Sequence, residues 1–450
     1  MQRDDAIADL VFLERALEER FAYLRASAVE HSALFGELRE RLPPEVRPGW
    51  LGLELQKTLA NFIDGHAATN VPPSPAGYLP FLTGSVGDQL VVYEADRDRL
   101  VDAERPFLVS IDDVPVSEWL AVAAKYVARG SPQLVRRGSQ RWLRAVQMLR
   151  GEMGLPTSDD VEVVLAGANV RSPRKLTLQL ADRPPQFGVW PRTESRLLEE
   201  NVGYIRLPQM NSDAVNEICE GLERFGSTSG LIVDVRGNGG GSRDALLALM
   251  PGLMSPDEPP RVVNMAAYRA WHGFPQDHLA NRHLYPLTSE RWPPEERTVI
   301  ESFMADFTPT WRPPEEEFSD WHAMVVSPAK HGEPTYLGRP VVVLMDAACF
   351  SATDVFLSAL GALPNVRLVG AASGGGSARA QVIELPNSGV KARFASMASY
   401  QASGELFDGV GVQPDVHVKA EPDYFLAIGT DHVLQAGRNE ISTRLTEVPI

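Results

Sequence analysis

The stretch PVVVLMDAACFSATDVFLSAL carries a hydroxyl, Ser351, at a position suited to nucleophilic chemistry. An apolar run ends at Asp346, a short loop follows, and a helical pattern begins near Ser351. A side chain there sits at the carboxyl end of a strand and faces the positive end of a helix, which favours a developing oxyanion. The same residues, Ser351-Ala-Thr-Asp354, also read as a capping box with Ser as N-cap, and spacing alone favours that cap. A second loop, DVRGNGGGSRD, holds four glycines after another apolar strand and runs directly into a helical pattern. Backbone N–H groups converging there suit an oxyanion hole or a phosphate, and a flexible turn is the plain alternative. No Gly-Lys-Ser/Thr follows, so a phosphate-binding P-loop is disfavoured. A third glycine loop, SGGGS at 373–377, says little alone.

The elements that must position these loops form three blocks. The first, 1–77, is helical, with Ile7, Leu10, Leu13, Leu17, Phe21 and Leu24 on one face. A further helix carries Leu55, Leu59, Phe62 and Ile63 and is expected to stop at Asp64-Gly65, where glycine suits a left-handed C′ position. That puts His66 in the loop beyond. The second block, 78–188, holds β-like runs (QLVVYEA, PFLVSIDDVPV, VEVVLAG, KLTLQLA) around a helical insertion near 117–152. PPQFGVWP then reads as a linker. In the third block, 195–450, strands alternate with helices, which argues for a layered α/β domain with a mostly parallel core. A Pro- and Trp-rich insertion, 255–335, interrupts it as a lid or a buried elaboration. The tail from Asp423 to Ile441 reads as a closing helix.

In sequence order, IVDVRGNGGG, CFSATD, LVGAASGGGS with ELPNSGV, and FDGVGVQPD resemble the catalytic motifs of the C-terminal-processing and tricorn-core serine peptidase family, also called tail-specific proteases. The resemblance covers roughly 200–420 and implies a ClpP/crotonase-like α/β catalytic domain behind an N-terminal helical region and a PDZ-like module. It also implies Ser351 as the nucleophile. One branch of the family uses a later Lys as base, but Gly376 stands where that Lys would fall, and only Lys391 and Lys419 follow Ser351. The tricorn-like branch takes a His from the N-terminal region and an acid from the closing motif. In this chain those positions hold His66, in IDGHA, and Asp408, in FDGVGV, with Glu405 as the fallback. Asp replaces the branch's usual Glu, so the carboxylate reaches one methylene less far. The implied reaction is serine-type endopeptidase hydrolysis through an acyl-enzyme. His66 would be the base, Asp408 its orienting partner, and the N–H groups of Gly240, Gly239 and Ala352 the oxyanion hole.

The chain has 450 residues and a net charge of −16, so it repels phosphate backbones and anionic lipid. Nucleic-acid and membrane partners are not expected; a peptide or unfolded protein substrate is, with homo-oligomerisation open. The MQRDDAIADL start lacks a cationic and apolar leader pattern, which gives a cytoplasmic expectation. Two cysteines, Cys219 and Cys349, exclude a disulfide scaffold, and Cys349 reads as a small buried hydrophobe. His278 and His283 would fall on different faces of any helix, and no His-Glu-x-x-His occurs, so neither metal nor cofactor is expected. His272 and His322 are groove candidates beside Trp. Asp234 and Arg236 are expected to pin a strand end, and Asp415 to shape a turn. Two rival functions stand beside the peptidase: a catalytically silent hydrophobic-ligand or peptide-binding protein on the same scaffold, and crotonase-like acyl-CoA chemistry.

Overall fold

The fold is described from a computed structural model covering residues 1–270, 277–329, 336 and 338–447. Its centre is a six-stranded sheet built from β6 (Arg196–Leu198), β7 (Val202–Arg206), β8 (Gly230–Asp234), β11 (Val341–Met345), β12 (Val366–Gly370) and β16 (Val416–His417). All neighbouring strands run parallel except β6, which is antiparallel to β7. The runs GLIVD and VVVLM are buried at every residue, because helices cover both sheet faces. Alternation of side chains assigns each residue to one layer. Leu231, Val233, Val341, Val343 and Met345 pack with α7 (Ser212–Arg224), α8 (Asp244–Leu249) and α10 (Ala352–Gly361). Ile232, Val342 and Leu344 pack on the other side with Val433 and Ile441 of α11 (His432–Glu447). The closing helix therefore starts well after Asp423, whose own stretch, Pro422–Phe425, is a short 3-10 turn.

The front of the chain forms α1 (Arg3–Arg20), α2 (His31–Arg41) and α3 (Pro48–Leu59). These helices share one apolar core with strands encoded hundreds of residues later, through Phe21, Phe62, Phe394, Ala395 and Tyr400. The insertion supplies two of those strands, β9 (Arg261–Tyr268) and β10 (His322–Val326), and also helix α9 (Pro294–Asp306). Strand β9 pairs antiparallel with both β10 and β15 (Met397–Tyr400), so the insertion is a buried elaboration, not a lid. Strand β14 (Lys391–Ala395) pairs with β13 (Ala380–Glu384) on one side and with Ala68–Thr69 on the other, which fastens the chain just after His66.

The second block is an antiparallel sheet in the order β1 (Phe81–Val86), β2 (Gln89–Glu94), β3 (Phe107–Ile111), β4 (Asp160–Ala166), β5 (Arg174–Gln179). Its insertion folds as α4 (Val116–Ala124), α5 (Pro132–Leu143) and α6 (Val146–Glu152). Among the described residues no helix is long and apolar enough to cross a membrane.

Candidate active site

Ser351 occupies the turn between β11 and α10 with φ 62° and ψ −118°. A side chain at positive φ costs of order 1–3 kcal/mol, so the surroundings must impose it. They do so from the glycine loop. Phe350 N donates to Asn238 O at 3.1 Å, and Thr353 Oγ1 donates to Asn238 Oδ1 at 2.9 Å. Asp346 Oδ1 accepts the N–H groups of Gly237 at 3.0 Å and Ala348 at 2.9 Å. Gly240 lies flush against the turn: a Cβ there would meet Phe350 O at 2.6 Å and Ser351 Cβ at 2.8 Å, at φ +100°. The capping reading fails at its defining bond, because the Ser351 hydroxyl makes no cap. The strained turn carries it off the helix toward His66. Asp354 N–H donates to Ser351 O at 2.9 Å, and its carboxylate holds the loop 373–377, accepting from Ser373 Oγ and from Gly375 and Gly376 N at 3.2 Å each.

Helix α3 ends at Leu59 rather than at Asp64-Gly65, and Gly65 is not in a left-handed conformation. Gly65 is needed for room: a Cβ would stand 2.6 Å from the Phe350 ring. That ring also packs on His66, with centroids 4.6 Å apart. Nε2 of His66 lies 3.2 Å from Ser351 Oγ, joining groups 285 residues apart. Nδ1 is buried without a hydrogen-bond partner, 3.8 Å from Asp64 Oδ1. Asp408 is buried beside it, and polar atoms of Asp64, His66 and Asp408 lie within 4.8 Å of one another. Asp408 Oδ1 accepts Gly65 N–H at 3.2 Å; Oδ2 accepts Tyr23 OH at 2.9 Å and Ser377 N–H at 3.1 Å. The carboxylate thus reaches the loop that carries the imidazole, stopping short of Nδ1 as the shorter Asp side chain implies. Asp64 accepts His66 N at 2.9 Å and Ala395 N at 2.7 Å, which ties the same loop to β14.

Burial, then the cations Arg393 and Arg282, push the His66 pKa down to about 3, so the ring is a neutral proton acceptor at ordinary pH. Burial raises Asp64 and Asp408, and the charge of Asp408 raises Asp64 further. Glu405, the fallback acid, is exposed. Of the expected oxyanion donors, Ala352 N–H opens α10 and Gly239 N–H lies in the open part of its loop, and neither is used by a backbone partner among the described residues. Gly240 N–H is a correction: it donates to Asn238 Oδ1 at 2.9 Å and serves the loop.

Four participants escaped the sequence reading. Tyr23 lies outside every motif, and Asn238 and Phe350 lie inside the glycine and nucleophile motifs without a role assigned there. Asp64 stands two residues before His66, and its nearness was the available signal. The SGGGS loop proves central, since it supplies Ser377 to Asp408 and is gripped by Ser131 Oγ on Gly374 O at 2.6 Å and Gln133 Nε2 on Ser373 O at 2.7 Å, from the start of α5.

The remaining polar residues stand apart from the pair. Cys349 is buried with Sγ 3.1 Å from Val235 O, and burial raises its thiol pKa. Asp234 and Arg236 form a buried pair at 2.6 Å, joined by Arg206 and Asp431, at the end of β8. Asp415 accepts Leu368 N at 2.7 Å. His278 contacts Ser396 Oγ at 3.0 Å, whereas His283 pairs with Asp244 at 2.7 Å, so the two do not share a ligand. His322 bonds Asp320 O at 2.8 Å and packs near Tyr268. His272 lies outside the described residues. Asp64, His66 and Asp408 have the spacing of a metal site, as do Glu14, Glu18 and His31. In the first group both carboxylates already accept N–H or O–H donors, which suits proton handling; in the second, Glu14 pairs with Arg39 and Glu18 with His31.

Residues 201–418 match peptidase family S41. Among solved structures, mature CPAF is similar over 100% of this chain and 99% of its own, at 16% identity and TM-score 0.71. A second structure, mature CPAF complexed with lactacystin, gives 16% identity over 99% of each chain and TM-score 0.69. A putative peptidase from Parabacteroides merdae covers 100% of both chains at 16% identity and TM-score 0.54. At these identities the likeness is one of fold. No curated protein matches the chain by sequence.

Proposed function

We propose that this chain, whose residues 201–418 match peptidase family S41, is a serine endopeptidase working through Ser351, His66 and Asp408. The observation that carries this reading is the 3.2 Å approach of His66 Nε2 to Ser351 Oγ on a strained strand-to-helix turn. In the first half-reaction Oγ bonds to the scissile carbonyl carbon while Nε2 takes its proton. Ala352 N–H, with Gly239 N–H, receives the oxyanion. The C–N bond then breaks, and the imidazolium returns the proton to the leaving amine. Water, deprotonated by the same nitrogen, cleaves the ester and restores the hydroxyl. Asp408, with Asp64 beside it, stabilises the imidazolium in each half. The five-stranded module is assigned a PDZ-like role as a scaffold whose α5 steadies the 373–377 loop. The domain reading is 1–77, 78–188 and 195–450.

A fluorophosphonate probe should label Ser351, and Ser351→Ala and His66→Ala should each lose about 10³-fold or more in kcat on any cleavable peptide. An unlabelled, folded protein would favour the silent binding reading. Activity at the native level in either variant removes that residue from the mechanism.

A further inference from the structure

Beside the catalytic pair lies a group of arginines that takes no direct part in the bond changes. Arg243, which precedes α8 directly after the glycine loop, is 3% exposed. Its guanidinium donates to Arg282 O at 3.0 Å and to Ser377 Oγ at 3.1 Å. Arg282 donates to Gly241 O at 3.1 Å, and its buried Nε has no partner. Arg379 follows the 373–377 loop and bonds the neutral Asn281 side chain. These anchor points are close to the chemistry. Gly241 adjoins Gly240, which abuts Ser351, and Ser377 holds Asp408.

Arg243 and Arg282 each lie in the field of another cation. Burial and then Arg282 push the Arg243 pKa down; burial and then Arg379 do the same to Arg282. The adjoining acid, Asp244, is already paired with His283. Among the described residues none of the three arginines forms an ion pair, in a chain whose net charge is −16, whereas the buried Arg150, Arg206 and Arg236 do. Unpaired, partly desolvated guanidinium groups are costly, and a carboxylate is the ligand that their fork geometry fits.

We propose that Arg243, Arg282 and Arg379 form a carboxylate-binding subsite next to the scissile bond, so that the preferred substrates are peptides carrying a negative charge at one fixed position. The inference rests on the endopeptidase reading and names its substrate class. The carboxylate can come from an acidic side chain or from a peptide's free C-terminus.

The test uses otherwise neutral decapeptides in which each position in turn is Glu or Gln, made with either a free or an amidated C-terminus. Full-length enzyme is assayed for kcat/KM, and Ser351→Ala for binding by fluorescence anisotropy of the same labelled peptides. One position should show a Glu-over-Gln preference of about tenfold or more, the size expected of one charge-assisted pair. A preference for free over amidated termini, with none for Glu, would identify the terminal carboxylate as the source. In Arg282→Gln and Arg379→Gln the ratio should fall toward one. In Arg379→Glu, a peptide with Lys at the selected position should overtake its Glu counterpart. A ratio near one throughout, or one that survives both Gln variants, overturns the subsite. If no peptide is cleaved the endopeptidase reading fails, while the anisotropy series still decides whether the carboxylate is bound.

Discussion

Ser351 and His66 are held by opposite means. The nucleophile depends on a local device: a fully buried strand, a turn at positive φ, and a helix, all within about 20 residues and braced by one neighbouring loop. The base depends on a meeting of distant segments. Its loop is fixed by Asp408 through Gly65, by Ala395 through Asp64, and by Arg393 Nε, which donates to His66 O at 2.9 Å. Asp408 is in turn positioned by Tyr23 from the end of the first helical segment and by Ser377. Strain that is locally imposed survives small shifts elsewhere. A site assembled from remote pieces fails if any piece drifts, because 1 Å of misplacement can cost about 100-fold in rate.

The sharpest way to break this contrast is at the remote end. Asp408→Asn leaves one acceptor oxygen for three donors and removes the charge that balances the imidazolium. We expect kcat to fall by about 10³- to 10⁴-fold with KM little changed. Tyr23→Phe, which leaves the charge and removes one donor, should cost much less. Asp408→Glu, one methylene longer, should retain far more activity than the Asn variant. A loss below tenfold in Asp408→Asn would transfer the partner role to Asp64.

The local device is tested at Gly240. An alanine there is strained by its φ of +100° and would press on Phe350 O, Ser351 Cβ and Ala352 N, at 2.6, 2.8 and 3.0 Å. The turn must move. We expect about 100-fold slower fluorophosphonate labelling of Ser351, with the melting transition lowered by only a few degrees. Labelling at the native rate would mean that the nucleophile's geometry is set by α10 alone.

The same contrast explains what could be read from the sequence. Strand β11, helix α10 and the glycine loop are written in contiguous residues with strong patterns, so their order and roles were legible. His66 and Asp408 were found only through the family resemblance, and the structure brings both to within 4.8 Å of Asp64. Nothing local marks Tyr23, and the glycine motif that contains Asn238 does not announce its latch on Phe350 and Thr353, residues far along the chain. Helix α2 lies inside the helical block but shows no face of its own in the sequence, because only Phe35 and Leu38 are buried in it. The end of α3 was misplaced because Gly65 was read as a helix terminator when the ring of Phe350, 285 residues later in the chain, is what excludes a side chain there. The insertion 255–335 looked irregular because its strands β9 and β10 pair across long gaps.

The smallest effect should come from Arg393, an exposed cation whose field reaches both members of the base. It lowers the His66 pKa and also that of Asp64. Catalysis needs His66 neutral before attack and a carboxylate charge nearby during it, so protonation of either group on the acid side reduces the rate. His66 at about 3 titrates below the carboxylates, which burial has raised above their ordinary value of 3.8, so the acid limb of kcat/KM should report the Asp64–Asp408 pair. Arg393→Gln removes a positive charge, which raises both pKa values and must move that limb to higher pH. Solvent screening at the exposed guanidinium limits the shift to a fraction of a pH unit, and added salt should shrink the difference between the two enzymes. A limb displaced to lower pH in Arg393→Gln would contradict the sign of this coupling, and with it the claim that a long-range arrangement of charge sets the protonation of the site.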